Sequence, residues 1–257
     1  MGTSGWIYKG WAGTFYPPRL SAAAKFAFYS SHFSTVEINN TFYRLPTENA
    51  VRGWHEQAAP GFIYAVKGSR FVTQMKKLNI EQDSLDLILN RIAPLKQYLG
   101  PVLWQLPPNF GINVERLERF LKMLPKRFEH VMEFRHPSWM DRKVFSLLEQ
   151  HQVAHASVSS LRMPLNLTVT GHFIYLRFHG LEGGAAHDYS RAELQPWANH
   201  CREALRNGLR VFAYFNNDIN TRAPDNARMF IDMVGDPRPP KPKRPFSIRK
   251  RPHLQGV

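Results

Sequence analysis

Short apolar runs that end in charged or amide residues recur along this chain of 257 residues. They occupy residues 36–39, 63–67, 102–105, 131–136, 174–179 and 212–217. Strands buried on both faces normally end in turn residues, and a polar group left there costs roughly 1–3 kcal/mol unless it finds a partner. Because the pattern repeats at the same end of successive strands, it predicts one shared polar site.

Strands and helices alternate along the chain. Strands are predicted at residues 1–4, 35–38, 62–67, 101–105, 130–134, 153–158, 173–178 and 210–215. Helices are predicted at 48–58, 83–97, 114–123, 137–150, 191–207 and 224–234, and 165–170 is predicted to be a hairpin arm or excursion. Eight βα units predict an α/β fold, a single (β/α)8 TIM-type barrel over residues 1–236, with sites at the C-terminal strand ends. An open doubly wound sheet is the alternative, but no G-x-G-x-x-G follows a strand.

The net charge of +14 divides into two parts. Half of the excess lies beyond residue 236, without any acid, which leaves +7 on residues 1–236. Residues 237–257 are therefore predicted to be a Pro-rich, basic, disordered tail, which either contacts nucleic acid weakly or only solubilises the protein. The basic excess of the barrel favours anionic ligands. The cations of the tail are Arg238, Lys241, Lys243, Arg244, Arg249, Lys250 and Arg251.

The apolar runs and the cysteine content bear on location. No run approaches the roughly 20 residues that span a bilayer, so we expect no membrane contact. The N-terminus has neither the basic nor the apolar region of a signal peptide. The lone cysteine, Cys201, excludes an intramolecular disulfide and suits a reducing compartment. A cytoplasmic protein is the expectation.

Several motifs together resemble the YecE-like family, a family built on a domain of unknown function. The likeness runs from residue 1 to about 235 and implies a TIM-type barrel without an established reaction. Relatives usually carry a few apolar residues before the first motif, whereas Met1 directly precedes it here, so either a clipped first strand or a misplaced start site is expected. The motifs lie at residues 2–6, 15–17, 36–43, 62–67, 133–139, 175–180 and 214–217.

Alternation of strand side chains predicts which residues share the barrel interior. Glu37 falls on one face with Asn39, and Glu133 with Arg135. Tyr175, Arg177 and His179 share a third inward face, and Lys67 and Gln105 end their strands.

These residue types suggest an enzyme site. Glu37 or Glu133 would be a general base, His179 a proton shuttle that titrates near neutrality, and Arg135 with Arg177 a clamp for an anion. The alternative is that these residues, with Lys67, form ion pairs that only fill the barrel.

Further candidates for substrate binding surround this set. His136 either lines the site or caps the next helix, since Pro137 keeps its backbone extended. Aromatic residues near the mouth either stack on a ligand ring or pack loops onto the rim. The substrate-binding candidates are Trp6, Asn39, Tyr43, Lys67, Gln105, Arg135, His136, Arg177, Asn216 and Asn217.

Four functions remain open at this point. The first is an enzyme that acts on an anionic small molecule bearing phosphate or carboxylate, by Glu and His acid–base chemistry and without metal or cofactor. The second is a metal-dependent phosphodiesterase, for which ligand-type residues are few. A non-catalytic nucleic-acid-binding protein is the third. A glycosidase that uses Glu37 and Glu133 is the fourth, decided by the separation of the two carboxylates.

Overall fold

Eight parallel strands form the barrel in the computed structural model, which describes residues 1–235. Each strand pairs with its sequence neighbour from β2 to β8, and β1 pairs with β8. A bridge between Ser4 and Glu37 joins the ends of β1 and β2 and closes the circle. The strands are β1 Gly2–Thr3, β2 Thr35–Ile38, β3 Ile63–Lys67, β4 Leu99–Gln105, β5 His130–Glu133, β6 Ala154–Ser159, β7 Phe173–Phe178 and β8 Arg210–Phe215.

The helices surround this sheet, and most begin at a residue whose side chain accepts a bond from the first turn. Ser21, Thr47, Asn113, Asp141 and Ser190 are such N-caps, each filling an otherwise unpaired backbone donor. The α-helices are α1 Ala22–His32, α2 Asn40–Tyr43, α3 Glu48–Gln57, α4 Gln82–Ile92, α5 Val114–Met123, α6 Arg142–Gln150, α7 Arg191–Arg206 and α8 Arg222–Val234. One π-helical turn, Phe71–Met75, follows β3.

Alternation along the strands divides the core into two layers. One cluster fills the barrel interior and includes Ala65, Leu103, Val131, Tyr175 and Tyr214. The larger cluster lies between the strands and the helices. Glu37, Glu133 and Arg177 belong to the inner set, which places three charged groups inside the barrel.

The predicted barrel and its short first strand are confirmed, with local corrections. Helices α1 and α2 were not predicted from the sequence. Predicted helix 83–97 ends at Ile92 and continues as the 3-10 helix Ala93–Tyr98. No strand occurs at 165–170, and the link from β6 to β7 contains no helix.

No helix within residues 1–235 is long and apolar enough to cross a membrane. The predicted tail, residues 237–257, lies outside the described residues.

Candidate functional site

A single arginine joins the two carboxylates inside the barrel. Arg177 Nη2 lies 2.6 Å from Glu37 Oε1, and Arg177 Nη1 lies 2.5 Å from Glu133 Oε2. Glu37 also accepts bonds from Ser4 Oγ at 2.8 Å and from the Tyr175 hydroxyl at 2.7 Å. Only 1% of the Arg177 side chain is exposed, and neither glutamate is exposed at all. Arg177 therefore holds two buried charges and is not open to a ligand.

Arg135 extends this charged network toward solvent. Its Nε donates to Glu133 Oε1, and its Nη2 lies 2.5 Å from His179 Nε2. Gln105 donates a further bond of 2.7 Å to the same Glu133 oxygen. The Arg135 side chain is 21% exposed, so it is the guanidinium of the network that a ligand can reach.

The electrostatics of the network fix the charge of Glu133. Burial alone would raise the pKa of the Glu133 carboxyl, but Arg135 and Arg177 hold that pKa well below its usual range. The carboxylates in turn outweigh the cost of burying the charge of Arg177 and raise its pKa. Glu133 is thus a permanent anion at neutral pH and a weak base.

His179 differs from its predicted behaviour as a proton shuttle. Burial, followed by the charges of Arg177 and Arg135, lowers the pKa of its ring well below the usual value. His179 Nε2 lies 2.5 Å from Arg135 Nη2 and 3.2 Å from Arg177 Nη1. His179 Nδ1 lies 3.0 Å from the side-chain amide of Asn216. In this neutral ring Nε2 is the acceptor, because a protonated Nε2 would face two donors. The proton then lies on Nδ1, and the Asn216 amide must present its oxygen to that atom.

Lys67, at the end of β3, completes the network but forms no ion pair with any carboxylate of residues 1–235. The other members of the network are Glu37, Gln105, Glu133, Arg135, Arg177 and His179. Its Nζ lies 4.1 Å from the centre of the Phe42 ring, which α2 brings over the strand end. Burial, followed by the charge of Arg177, lowers the pKa of this amine to about 8. Lys67 is the member of the network that exchanges a proton near neutral pH.

Two cavities flank the network at the C-terminal strand ends. One, of about 310 Å³, lies at the ends of β1 and β2 and is lined in part by Trp6 and Asn39. The other, of about 220 Å³, lies at the ends of β4 and β5 and is lined in part by Gln105 and Arg135. A larger hollow of about 570 Å³ lies between α3 and α4 on the outer wall, far from this chemistry.

Three sequence candidates lie outside the network. Asn217 is fully buried and bonds to the carbonyl of His187 and to Asn226 of α8, so it holds a loop to a helix. The His136 ring accepts a bond from the Ser138 backbone, which makes it a cap of the following 3-10 turn. Tyr43 is 65% exposed and lies on the rim below Arg70.

Two contributors, Ser4 and Phe42, were given no role from the sequence, and Tyr175 was placed on the inward face without a partner. In the structure Ser4 and Tyr175 both donate to Glu37, and Phe42 covers Lys67. The alternation of β7 places Tyr175 on the face of Arg177, so that signal was present. Nothing in the local sequence pairs Ser4 with Glu37, because the contact depends on closure of the barrel between β1 and β2.

The geometry bears on two of the open functions. Within residues 1–235, no three His, Cys, Asp or Glu side chains are grouped so that they could hold a metal ion. The guanidinium of Arg177 fills the space between Glu37 and Glu133 and bonds to both. A glycosidase needs that space for the scissile bond, so this arrangement does not favour the glycosidase hypothesis, which stays a prediction.

The fold and site define a TIM-type barrel with a buried charged network at its C-terminal mouth. Residues 1–247 match the family model described as "Protein of unknown function DUF72", and the chain belongs to this family. The resemblance to YecE-like proteins is therefore confirmed.

Curated relatives and solved structures agree with this assignment. "UPF0759 protein YunF" of Bacillus subtilis (strain 168) is 25% identical, covering 91% of this chain and 94% of that protein. "UPF0759 protein YecE" of Escherichia coli (strain K12) is 34% identical over 112 residues, which are 43% of this chain and 41% of that protein. A DUF72 family protein from Thermotoga maritima superposes with a TM-score of 0.83 at 27% identity, covering 91% of this chain and 98% of the other. A second DUF72 family protein, from Enterococcus faecalis, superposes with a TM-score of 0.79 at 18% identity, covering 91% of this chain and 94% of the other. At that identity the likeness supports the fold alone.

Proposed function

We propose that this protein is an enzyme that binds an anionic small molecule, bearing phosphate or carboxylate, at the C-terminal mouth of its barrel. The observation that carries the proposal is the contrast between its two arginines. Arg177 is sealed between two carboxylates, whereas Arg135 is partly exposed and its Nη1 has no hydrogen-bond partner within residues 1–235. A guanidinium edge presented to solvent matches carboxylate and phosphate oxygens.

The charge balance of the network supports an anionic ligand. Lys67, Arg135 and Arg177 supply three cations against the two carboxylates of Glu37 and Glu133. The excess positive charge lies on the two residues nearest solvent, Arg135 and Lys67. A local excess of one sign of charge at the mouth of a barrel attracts ligands of the opposite sign.

The acid–base part of the original hypothesis needs a different residue. Glu133 and His179 both have pKa values well below the neutral range, so each is a fixed acceptor. Lys67, with a pKa of about 8, is the proton carrier that this network offers at working pH. In this proposal Arg135 binds the anion, Lys67 reacts with the substrate, and the buried ion pairs hold both in place.

Mass spectrometry of retained ligands tests the proposal. The wild-type protein, Arg135→Met and Arg52→Met are purified gently and in parallel, and the small molecules released on denaturation are compared. Arg52 lies on the outer wall with 66% of its side chain exposed, so its variant is the matched control. We expect a phosphate- or carboxylate-bearing molecule from wild type and control, and its loss from Arg135→Met. Equal retention by all three proteins would contradict the assignment of Arg135.

A second candidate function is binding of single-stranded nucleic acid along the rim. Arg70 lies 5.7 Å from the Tyr43 ring, and Lys76 lies 5.7 Å from the Phe71 ring, so cations and aromatic faces are interleaved. Such surfaces stack bases and neutralise phosphates. A labelled oligonucleotide should bind with an affinity that falls steeply with salt and is weakened by Tyr43→Ala; salt-independent binding or none refutes this candidate.

A further inference from the structure

We propose that Lys67 Nζ is a nucleophile that forms an imine with an anionic carbonyl compound, either a 2-oxo acid or a phosphorylated aldehyde or ketone. The inference rests on the proposed function and names its substrate class. It depends on the position of Lys67, on the state of its amine, and on the neighbouring guanidinium.

The backbone around Lys67 is held in place from two sides. The Lys67 carbonyl oxygen accepts a 2.7 Å bond from the Thr41 hydroxyl, which also lies 3.1 Å from the Ile38 carbonyl oxygen. This links the end of β3 to the end of β2. Lys67 is in register with Leu103 of β4, whose side chain belongs to the cluster inside the barrel. The Lys67 side chain therefore leaves its strand on the interior face of the barrel.

Within residues 1–235 the amine of Lys67 has no hydrogen bond and no ion pair, in contrast with the other charged groups of the network. Glu37 is occupied by Ser4, Tyr175 and Arg177, and Glu133 by Gln105, Arg135 and Arg177. Lys67 has the Phe42 ring face as its close neighbour instead of a carboxylate. A lysine kept for charge balance would be expected to pair with one of the two glutamates.

The surroundings keep part of this amine neutral. Burial is the main cause, the charges of Arg177 and Arg135 act in the same direction, and Glu133 and Glu37 oppose them. With a pKa of about 8, roughly one-tenth of the amine is neutral at pH 7, against about 3 in 10,000 for an ordinary lysine. Desolvation beside another cation is a known way to activate a lysine nucleophile.

The reaction follows from these groups. The neutral amine attacks the carbonyl carbon, so that a C–N bond forms as the C=O π bond opens to a carbinolamine. Both amine protons end on the oxygen, the C–O bond breaks, and water leaves as the C=N bond forms. Arg135 is close enough to act electrostatically on Lys67. Its unpaired edge suits a carboxylate or phosphate on the same small substrate, which places the anion beside the reacting carbon.

The segment that follows Lys67 has features of a functional loop. It contains the π-helical turn Phe71–Met75, and such turns are frequent at functional sites. Gln74 Nε2 donates a 2.7 Å bond to the carbonyl oxygen of Gln105, at the edge of the cavity that contains Arg135. Lys77 and Leu78 then adopt left-handed backbone conformations, which are strained for these residue types.

Borohydride trapping tests the inference on the full chain. The protein is incubated with pyruvate, with glyceraldehyde 3-phosphate, or with acetone as the uncharged comparison, and sodium borohydride reduces any imine to a stable amine. Intact mass and peptide mapping then locate the adduct. We expect pyruvate or glyceraldehyde 3-phosphate to label Lys67 at least tenfold faster than any other lysine, and acetone to label it poorly.

Controls separate this inference from the proposed function. Lys67→Arg keeps the charge but should lose the adduct, whereas Lys122→Arg, a variant on the exposed face of α5, should keep it; circular dichroism verifies that both are folded. Binding of phosphate is measured on the same samples without borohydride. If phosphate binds but Lys67 is not labelled, the imine is refuted and the anion site stands. If acetone and pyruvate label Lys67 equally, and phosphate does not bind, the imine stands and the anion site fails. If Lys67 is not labelled and phosphate does not bind, both proposals are refuted.

Discussion

Replacing Arg177 with methionine tests the buried network most severely. The substitution keeps the apolar stem but leaves the unexposed carboxylates of Glu37 and Glu133 without the cation that both contact, at 2.6 and 2.5 Å. Removing one partner of a buried ion pair costs about 3–5 kcal/mol, because the remaining charge stays desolvated. At about 2–4 °C per kcal/mol for a chain of this size, the melting temperature should fall by roughly 6–20 °C.

Urea unfolding followed by circular dichroism measures the effect, with Arg52→Met as control. Arg52 faces Glu56 at 3.9 Å with both side chains about two-thirds exposed, so its loss should cost less than about 1 kcal/mol. The triple variant Glu37→Gln, Glu133→Gln, Arg177→Met should regain part of the lost stability, since it removes the orphaned charges as well. Equal stability of Arg177→Met and Arg52→Met would refute the reasoning.

The free energy of unfolding of Arg177→Met should also depend on pH differently from that of the wild type. In the native protein the pKa of Glu133 lies below its unfolded value, so its stabilising contribution is present above that value and is lost as pH falls through the folded pKa. In Arg177→Met, Glu133 has lost one of the two cations that lower its pKa, and its protonation relieves the repulsion from Glu37. The deficit in stability relative to wild type should therefore shrink between pH 8 and pH 5. A deficit that grows over this range would contradict the account.

The remaining predictions concern single residues. His179 should stay neutral from pH 8 to pH 5, so its ring ¹⁵N shifts should not titrate there; a midpoint between 6 and 7 would refute its assignment as an acceptor. Burial raises the pKa of Asp218 to about 6, and Trp11 Nε1 donates a 2.6 Å bond to this carboxyl. Tryptophan fluorescence should therefore change near pH 6, and the change should be absent in Asp218→Asn. A Cβ on Gly68 would overlap the ring of Trp104, so Gly68→Ala should destabilise by about 1–3 kcal/mol, and unchanged urea unfolding would exclude that overlap.

The barrel could be predicted because its strands are distinct apolar runs with a period of two. The same alternation placed Glu37, Glu133 and Arg177 on interior faces, where the structure has them. Helix α1 was missed because its apolar stripe is short: Phe26 and Tyr29 share the buried face, but Phe28 falls on another face.

The pairing of the site residues could not be predicted, since it depends on distances across the barrel. From the sequence, Arg135 and Arg177 were both expected to bind an anion. In the structure β7 places Arg177 between two carboxylates, whereas Arg135 follows β5 and lies at the solvent side of the network. The adjacent pair Asn216 and Asn217 shows the same limit. Asn216 turns toward His179, and Asn217 turns toward α8.

Isothermal titration of the wild-type protein and Arg135→Met with inorganic phosphate tests the central claim most directly. The account predicts one saturable site per chain in the wild type, weakened at least tenfold in Arg135→Met and retained in Arg52→Met. Absence of saturable binding in the wild type, or equal affinity of wild type and Arg135→Met, would contradict an anion site at the barrel mouth.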